Sequence, residues 1–401
     1  MRNRVAIVVQ VALPILAALL VAPFSVRFEG FWPWDPRVVD LEVYQYTGQV
    51  LLQGGDILTA RTPRDGLAFI YPPFAALLCV PLVLITPVLL KALWLAATAV
   101  AVVAVVHRLG LTGWWLSLAA TAAVLFVEPV RETLGFGQVN VFLMAMVVLD
   151  LVPGPRLPPW RRRLLPPGVL TGLATAIKVT PALFVVYLLL ARQWRTARTT
   201  LIAAGAATLL GAVLMPRESL AFWQFLLAGD TRTGSTSFLF NQSILAATLR
   251  FAGNGMTVYY AGLALSAVVA FAGAWAAARW HVRGQPLLAV SLCGVATLLA
   301  SPLSWTHHFV WVVPLAAVVV DRGLPALVRG FSAAFVVWVA AAEFKHLPWG
   351  QDVELTYGPA EQLLSGVTPI LGTVLVGIAL VEGHRSAKRT AQPRAETVAV
   401  Q

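Results

Sequence analysis

Residues 301–311 read SPLSWTHHFVW, two adjacent histidines in a stretch flanked by apolar segments. Imidazole, indole and hydroxyl groups at the edge of such a segment suit the holding of a phosphate or a sugar. Other stretches carry groups of the same kind. VDLEVY (39–44) contributes Asp40 and Tyr44, and VEPVRETLGFGQVN (127–140) contributes Glu128, Arg131, Gln138 and Asn140. AIKVTPA (176–182) strands Lys178 among apolar neighbours, and the segment 216–242 carries Arg232, Asn241 and Gln242. A carboxylate can take the proton of a hydroxyl nucleophile, while cations and N–H donors can hold a phosphate that is leaving.

Each group also has a plainer reading. Asp40 fits a solvated acidic helix face, and Glu128 with Arg131 fits an i, i+3 ion pair. GFGQVN fits a flexible turn, and Gly168 with Gly172 fits close helix packing. Lys178 at a helix break needs an anion or carbonyl partner unless it snorkels to the interface. Trp305 and Trp311 fit an interfacial aromatic belt as well as sugar stacking. FNQS contains an Asn-x-Ser glycan acceptor, but it abuts a membrane segment, where a glycan is disfavoured. Neighbouring residues on an α-helix point roughly 100° apart, so at most one of His307 and His308 is expected to face a given cavity. His308 shares its face with Ser304 and Trp305. No His-x-x-His or His-Glu-x-x-His spacing occurs, so no metal site and no cofactor is implied.

The elements that position these groups follow from composition. The 401 residues are 59% hydrophobic and only 12% charged, with mean hydropathy +0.78. A soluble domain carries about 25% charged residues, so this is the composition of a polytopic membrane protein. Apolar runs recur at 5–26, 88–106, 112–127, 199–215, 255–278, 286–300, 325–342 and 362–381. With the shorter segments between them they predict an all-α protein of about 11–12 crossings, with amphipathic helices on its outer face. Residues 1–382 form one integral-membrane domain, and 383–401 a basic, disordered cytoplasmic tail.

The net charge of +11 is a topology signal and not a nucleic-acid footprint. Arginines gather in alternate loops, among them Arg2 and Arg4, Arg161 to Arg163, Arg192 to Arg198, and Arg279 with Arg283. Such loops mark the cytoplasmic side. Carboxylates gather in the other loops, 14 of the 18, so 27–66, 216–242 and 343–362 are expected to face outward. Nearly every unusual polar group then sits at one membrane edge. Cys79 and Cys293 lie in apolar segments and read as small buried hydrophobes. The N-terminal run resembles a signal sequence and reads as an uncleaved first helix.

Three local features complete the reading. Residues 38–53 form an amphipathic helix suited to the membrane surface, with Val39, Val43 and Val50 on one stripe and Asp40, Tyr44 and Thr47 on another. The segment 164–191 is too short for two full spans and reads as two half-helices broken at IKVTP. Thr86-Pro87 is either a turn or a kink.

In order and spacing, VDLEVY, FIYPPFAA (69–76), VEPVRETLGFGQVNVFLM (127–144), AIKVTPA, SFLFNQS (237–243) and SPLSWTHHFVW resemble glycosyltransferase family 87. The resemblance implies a GT-C fold and transfer of a sugar from a polyprenyl phosphate. SPLSWTHH and FNQS resemble the mannosyltransferase branch more than the arabinofuranosyl branch. That branch implies a polyprenyl-phosphate-mannose donor, a phosphatidylinositol-mannoside acceptor in membrane lipid, and an inverting reaction giving an α-1,2 linkage. The site would face the outside of the plasma membrane, with Asp40 in the position of the base. Arg131, Lys178, His307 and His308 are then candidates for the donor phosphate. Tyr44, Glu128, Gln138, Asn140, Arg232, Asn241, Gln242 and Trp305 are candidates for other substrate contacts. Segment 343–362 corresponds to nothing in the family's pattern. Two rivals are an arabinofuranosyltransferase sharing fold and aspartate, and a lipid-linked sugar transporter, whose polar groups would gather at the bilayer midplane.

Overall fold

The computed structural model describes residues 2–22, 38–157, 163–228 and 235–391. Among them the chain is helical, with two isolated bridges, Arg61 with Ala68 and Asn241 with Trp305, and no strand. Helix α1 (Arg2–Val21) precedes α2 (Val39–Leu52), the helix expected at 38–53. Helix α3 (Pro73–Cys79) starts on the prolines of FIYPPF, whose fixed φ suits a first turn. It runs into a 3₁₀ turn, Val80–Leu84, and Ile85 is extended, so Thr86-Pro87 is a break that opens α4 (Pro87–Arg108). Helix α5 (Gly113–Phe126) ends at extended Val127, and α6 (Glu128–Phe136) leaves it at 73°.

Helix α7 (Asn140–Leu151) is followed by the two expected half-helices, α8 (Val169–Ile177) and α9 (Leu183–Leu190), with Lys178 extended at the break between them. The N-terminus of α8 is capped from outside: the Asp150 carboxylate on α7 accepts the N–H groups of Gly168 and Thr171 and pairs with Arg163. Gly168 and Gly172 let α8 press against the backbone of α10 (Trp194–Leu214), the helix-packing role their spacing suggests. Then come α11 (Pro216–Ala228), α12 (Ile244–Ala252), α13 (Met256–Val282) and α14 (Pro286–Ala300). A 3₁₀ turn, Thr306–Trp311, leads into α15 (Val312–Val320), α16 (Ala326–Ala341) and α17 (Pro359–Ala391). The last helix continues to Ala391, past the start of the tail expected at 383.

Among the described residues five helices are long and apolar enough to cross a membrane, six if the bent α5–α6 pair counts as one span. Six more apolar helices have only 10–17 residues. The expected 11–12 crossings exceed the full-length spans, because a straight crossing takes about 20 residues and these six fall short of it. Large apolar side chains on α10 and α13, such as Ile202, Val213, Val268 and Phe271, point outward, as lipid-facing helices require. This is an all-α polytopic membrane protein.

The main hydrophobic core joins α4 to α9 with α13 to α17. A second core gathers Leu41, Val43, Tyr44, Phe69, Tyr71 and Phe222 around α2. Helix α2 is covered on both stripes: Tyr44 and Thr47 of its polar strip are buried along with Val39, Val43 and Val50. Each large side chain contributes about 2 kcal/mol on burial, which holds a 14-residue helix that would be marginal alone. A small third cluster, Leu239, Ala342, Phe344 and Tyr357, caps the bundle beside the SPLSW segment. The polar residues converge where these three cores meet.

Candidate active site

Helix α2 brings Asp40 to the turn that follows α6. That turn depends on Gly137, whose φ is +71° and whose Cβ would lie 2.8 Å from that of Leu41. A side chain there is strained and would also push α2 away. The GFGQVN turn is thus a close junction between α2 and α6, and it delivers Gln138. The Gln138 Oε1 accepts the hydroxyls of Tyr71 at 2.9 Å and Tyr44 at 3.2 Å, and the two hydroxyls are 3.0 Å apart. Gln138 also neighbours the half-buried Asp40 carboxylate and favours its charged form. Burial pushes the Asp40 pKa above the ordinary carboxylate value, against the pull of His307, Gln138 and Lys178. Among the described residues Asp40 has no ion pair.

The break between α8 and α9 holds Lys178 beside that carboxylate. Its Nζ donates to Asn140 Oδ1 at 3.1 Å, lies 3.0 Å from His308 Nε2, and stands 5.4 Å from the centre of the Tyr71 ring. Among the described residues no carboxylate pairs with it. A small cavity next to it is lined by Asn140, Lys178, Thr180, His308 and Trp311. The hydrogen bonds of Lys178 all run to neutral groups, and its charge interacts with that of Asp40 without a direct ion pair.

Both histidines are buried, but only His308 lines the cavity, as the expectation that at most one would face it requires. The segment is a 3₁₀ turn and not an α-helix, and the two rings meet edge to face with centroids 4.8 Å apart. His308 reaches Lys178, while His307 Nδ1 lies 3.7 Å from Glu132 Oε2. His307 Nε2 and His308 Nδ1 are both buried without a protein hydrogen-bond partner. Such atoms cost about 1–3 kcal/mol each unless a water or a ligand group meets them, and these two are open to a polar ligand.

On the other side of His307 lies a charge cluster that sequence reasoning left out. Lys345, in the 3₁₀ turn Glu343–His346, bonds Glu128 Oε1 at 2.6 Å and also Glu132. Arg131 makes the expected pair with Glu128 at 3.4 Å. Lys345 therefore ties the segment 343–357 to α6. Lys345→Met should leave two largely buried carboxylates under-compensated and destabilise the protein by about 2 kcal/mol. Thermal unfolding of the detergent-solubilised variant reads that loss, and adding Glu132→Gln should recover part of it. An unchanged midpoint would show the cluster to be energetically idle.

The remaining candidates are placed differently. The Asn241 amide donates to the carbonyls of Thr236 and Pro302 and accepts the N–H groups of Ser243 and Ser304, so its side chain is spent on backbone. Gln242 donates to Leu239 O and leaves its Oε1 buried and unpaired. FNQS thus stitches the 237–243 loop to SPLSW, helped by buried Arg250, which donates to the carbonyls of Ser237, Phe238 and Asn241. Trp305 is part-exposed and packs with Phe238, which meets Trp349 in turn. Arg232 lies outside the described residues. Tyr71, Glu132 and Lys345 are the members sequence reasoning missed. Tyr71 and Glu132 sit within quoted motifs, whereas nothing in the sequence signals the pairing of Lys345 with α6.

The model of glycosyltransferase family 87 matches residues 69–302. A Mycobacterium tuberculosis (strain H37Rv) protein named polyprenol-phosphate-mannose-dependent alpha-(1-2)-phosphatidylinositol mannoside mannosyltransferase is 33% identical over 335 residues, 76% of this chain and 74% of its own. A pentamannoside mannosyltransferase of the same naming, from M. tuberculosis (strain CDC 1551), is 34% identical, with 76% of this chain and 72% of its own covered. Among solved structures, ArnT from Cupriavidus metallidurans bound to undecaprenyl phosphate aligns with TM-score 0.38 and 17% identity, over 96% of this chain and 78% of that one.

Proposed function

The chain belongs to glycosyltransferase family 87, and from that membership we propose that it transfers mannose from polyprenyl-phosphate mannose to a phosphatidylinositol mannoside. The linkage formed is α-1,2, the reaction inverts the anomeric carbon, and the site faces the outside of the plasma membrane. The names of the relatives supply donor and linkage. Within the chain, the observation that carries the reading is the pairing of a lone carboxylate with a lone cation. Glu128 and Glu132 are compensated by Lys345 and Arg131, which leaves Asp40 as the basic carboxylate. Lys178 has only neutral partners.

Glycosyl transfer passes through an oxocarbenium-like state with bond breaking ahead of bond making. Asp40 accepts the proton of the acceptor hydroxyl as its oxygen attacks the anomeric carbon. The bond from that carbon to the phosphate oxygen breaks on the opposite face, and its electron pair stays on the phosphate. That leaving group is an anion already and needs no general acid. It needs positive charge and N–H donors, which Lys178 and the unpaired nitrogens of His307 and His308 offer. Burial of the Asp40 carboxylate makes it a stronger base, since desolvation favours its protonated form.

Two measurements test this. Purified protein offered polyprenyl-phosphate mannose or its arabinose counterpart should transfer only mannose; arabinose transfer alone would replace the proposal with its sister reaction. Sidedness is tested by single cysteines at Asp56, Ser235 and Gln351, all exposed. The native Cys79 and Cys293 are buried and give little background. All three sites should react with an impermeant thiol reagent in intact cells, as the segregation of arginine from carboxylate loops predicts. Labelling only after the membrane is opened would put the site on the cytoplasmic face.

A further inference from the structure

Helices α9, α14 and α15 each have one end beside the small cavity at Lys178 and the other beside a second, larger cavity, at which α13 also ends. With 15 residues, α14 spans about 22 Å, so the two sites lie at opposite ends of these helices. The second cavity has a volume of about 1100 Å³ and is lined by Arg192, Arg279 and Arg283 together with Leu190, Trp275 and Trp280. We propose that it binds an anionic phospholipid, with the arginines on the headgroup phosphate and the apolar wall along the acyl chains.

Charge complementarity selects that occupant. Among the described residues none of the three arginines pairs with a carboxylate. The acidic groups on the elements around the cavity are already engaged: Asp321 Oδ1 accepts Gly323 N, and Glu382 pairs with Arg385. Arg279 is held by His384 at 3.1 Å, and its Nε is buried without a partner. Arg283 lies over the Trp280 ring with its carbon 5.9 Å from the centroid and one nitrogen on Arg279 O, so its remaining donors are unspent. Arg192 takes the left-handed conformation, φ +57°, in the turn after α9, a conformation that glycine usually supplies. A small soluble anion would need the cations but not the apolar wall. Trp275 is 41% and Val282 71% exposed at this rim, which suits the headgroup boundary of a bilayer, where indoles and arginines meet lipid.

The test titrates detergent-purified protein with phosphatidylglycerol or zwitterionic phosphatidylcholine and counts bound lipid by native mass spectrometry. The paired change Arg279→Gln, Arg283→Gln should weaken phosphatidylglycerol binding at least about tenfold, as the loss of charge-assisted contacts implies. Phosphatidylcholine binding should not change. Arg195→Gln removes an exposed arginine outside the cavity and should bind like the parent. Millimolar inorganic phosphate should leave the lipid in place. If phosphate displaces it, the cavity is a small-anion site and the lipid assignment fails. Undiminished binding in the paired variant, or an equal loss in Arg195→Gln, also overturns the proposal. Thermal unfolding in lipid-free detergent checks that the paired variant folds. If it does not, Arg192→Gln replaces it, with an expected loss of about threefold and the same reading of an unchanged result.

Discussion

Asp40→Asn is expected to cut turnover by at least about 10²-fold while donor binding is largely kept. The substitution preserves shape but replaces the basic carboxylate with a neutral amide that does not take up the proton. Glu42→Gln is the control. Two residues further along α2, Glu42 points away from the cluster, with its Oε1 3.9 Å from Lys91 on α4, and should be nearly silent. The pH profile adds a signature. A base works only when ionised, and burial raises the Asp40 pKa, so kcat/KM should fall as pH drops through a value above the usual carboxylate range of about 3.9. In Asp40→Asn that acid limb should vanish from the residual activity. An active Asp40→Asn with a dead Glu42→Gln would move the base by half a helical turn.

Lys178→Met should also lower activity about 10²-fold, but by a different route. It removes the cation set against the leaving phosphate, so donor binding and turnover should both fall. The long, unbranched methionine keeps the apolar bulk at the break between α8 and α9, which protects folding. Lys178→Arg should recover part of the activity, because the charge returns while the fit to Asn140 and His308 does not. The contrast between retained donor binding in Asp40→Asn and lost donor binding in Lys178→Met separates acceptor activation from phosphate stabilisation. Equal donor binding in both variants would contradict the assignment of Lys178.

Much of this arrangement is legible in the sequence, because the relevant signals are local. A lysine in an apolar run that is too short for two spans points to the break at Lys178. The spacing of Val39, Val43 and Val50 finds α2, and the order of the motifs finds the family. The failures involve contacts between distant segments. Tyr44 and Thr47 read as a polar strip separate from the apolar stripe, but both are buried, Tyr44 within the second core. The divergence of the two histidines holds although the chain makes a 3₁₀ turn there, since its neighbouring side chains also point apart. Asn241 reads as a sugar contact, but its polar atoms are used by the backbone of the segment it fastens. Lys345 lies more than 200 residues from the carboxylates it joins, and no periodicity reports such a pairing.

The central claim is a single displacement, with one carboxylate acting as base opposite a departing phosphate. The measurement that addresses it most directly is the stereochemistry of one turnover. The purified protein is given polyprenyl-phosphate mannose of known anomeric configuration and a phosphatidylinositol mannoside, and the product is read by NMR. The product should carry mannose in α-1,2 linkage, with the configuration at the anomeric carbon opposite to that of the donor. Retention of the donor's configuration would require a second displacement through a carboxylate nucleophile, and would contradict it.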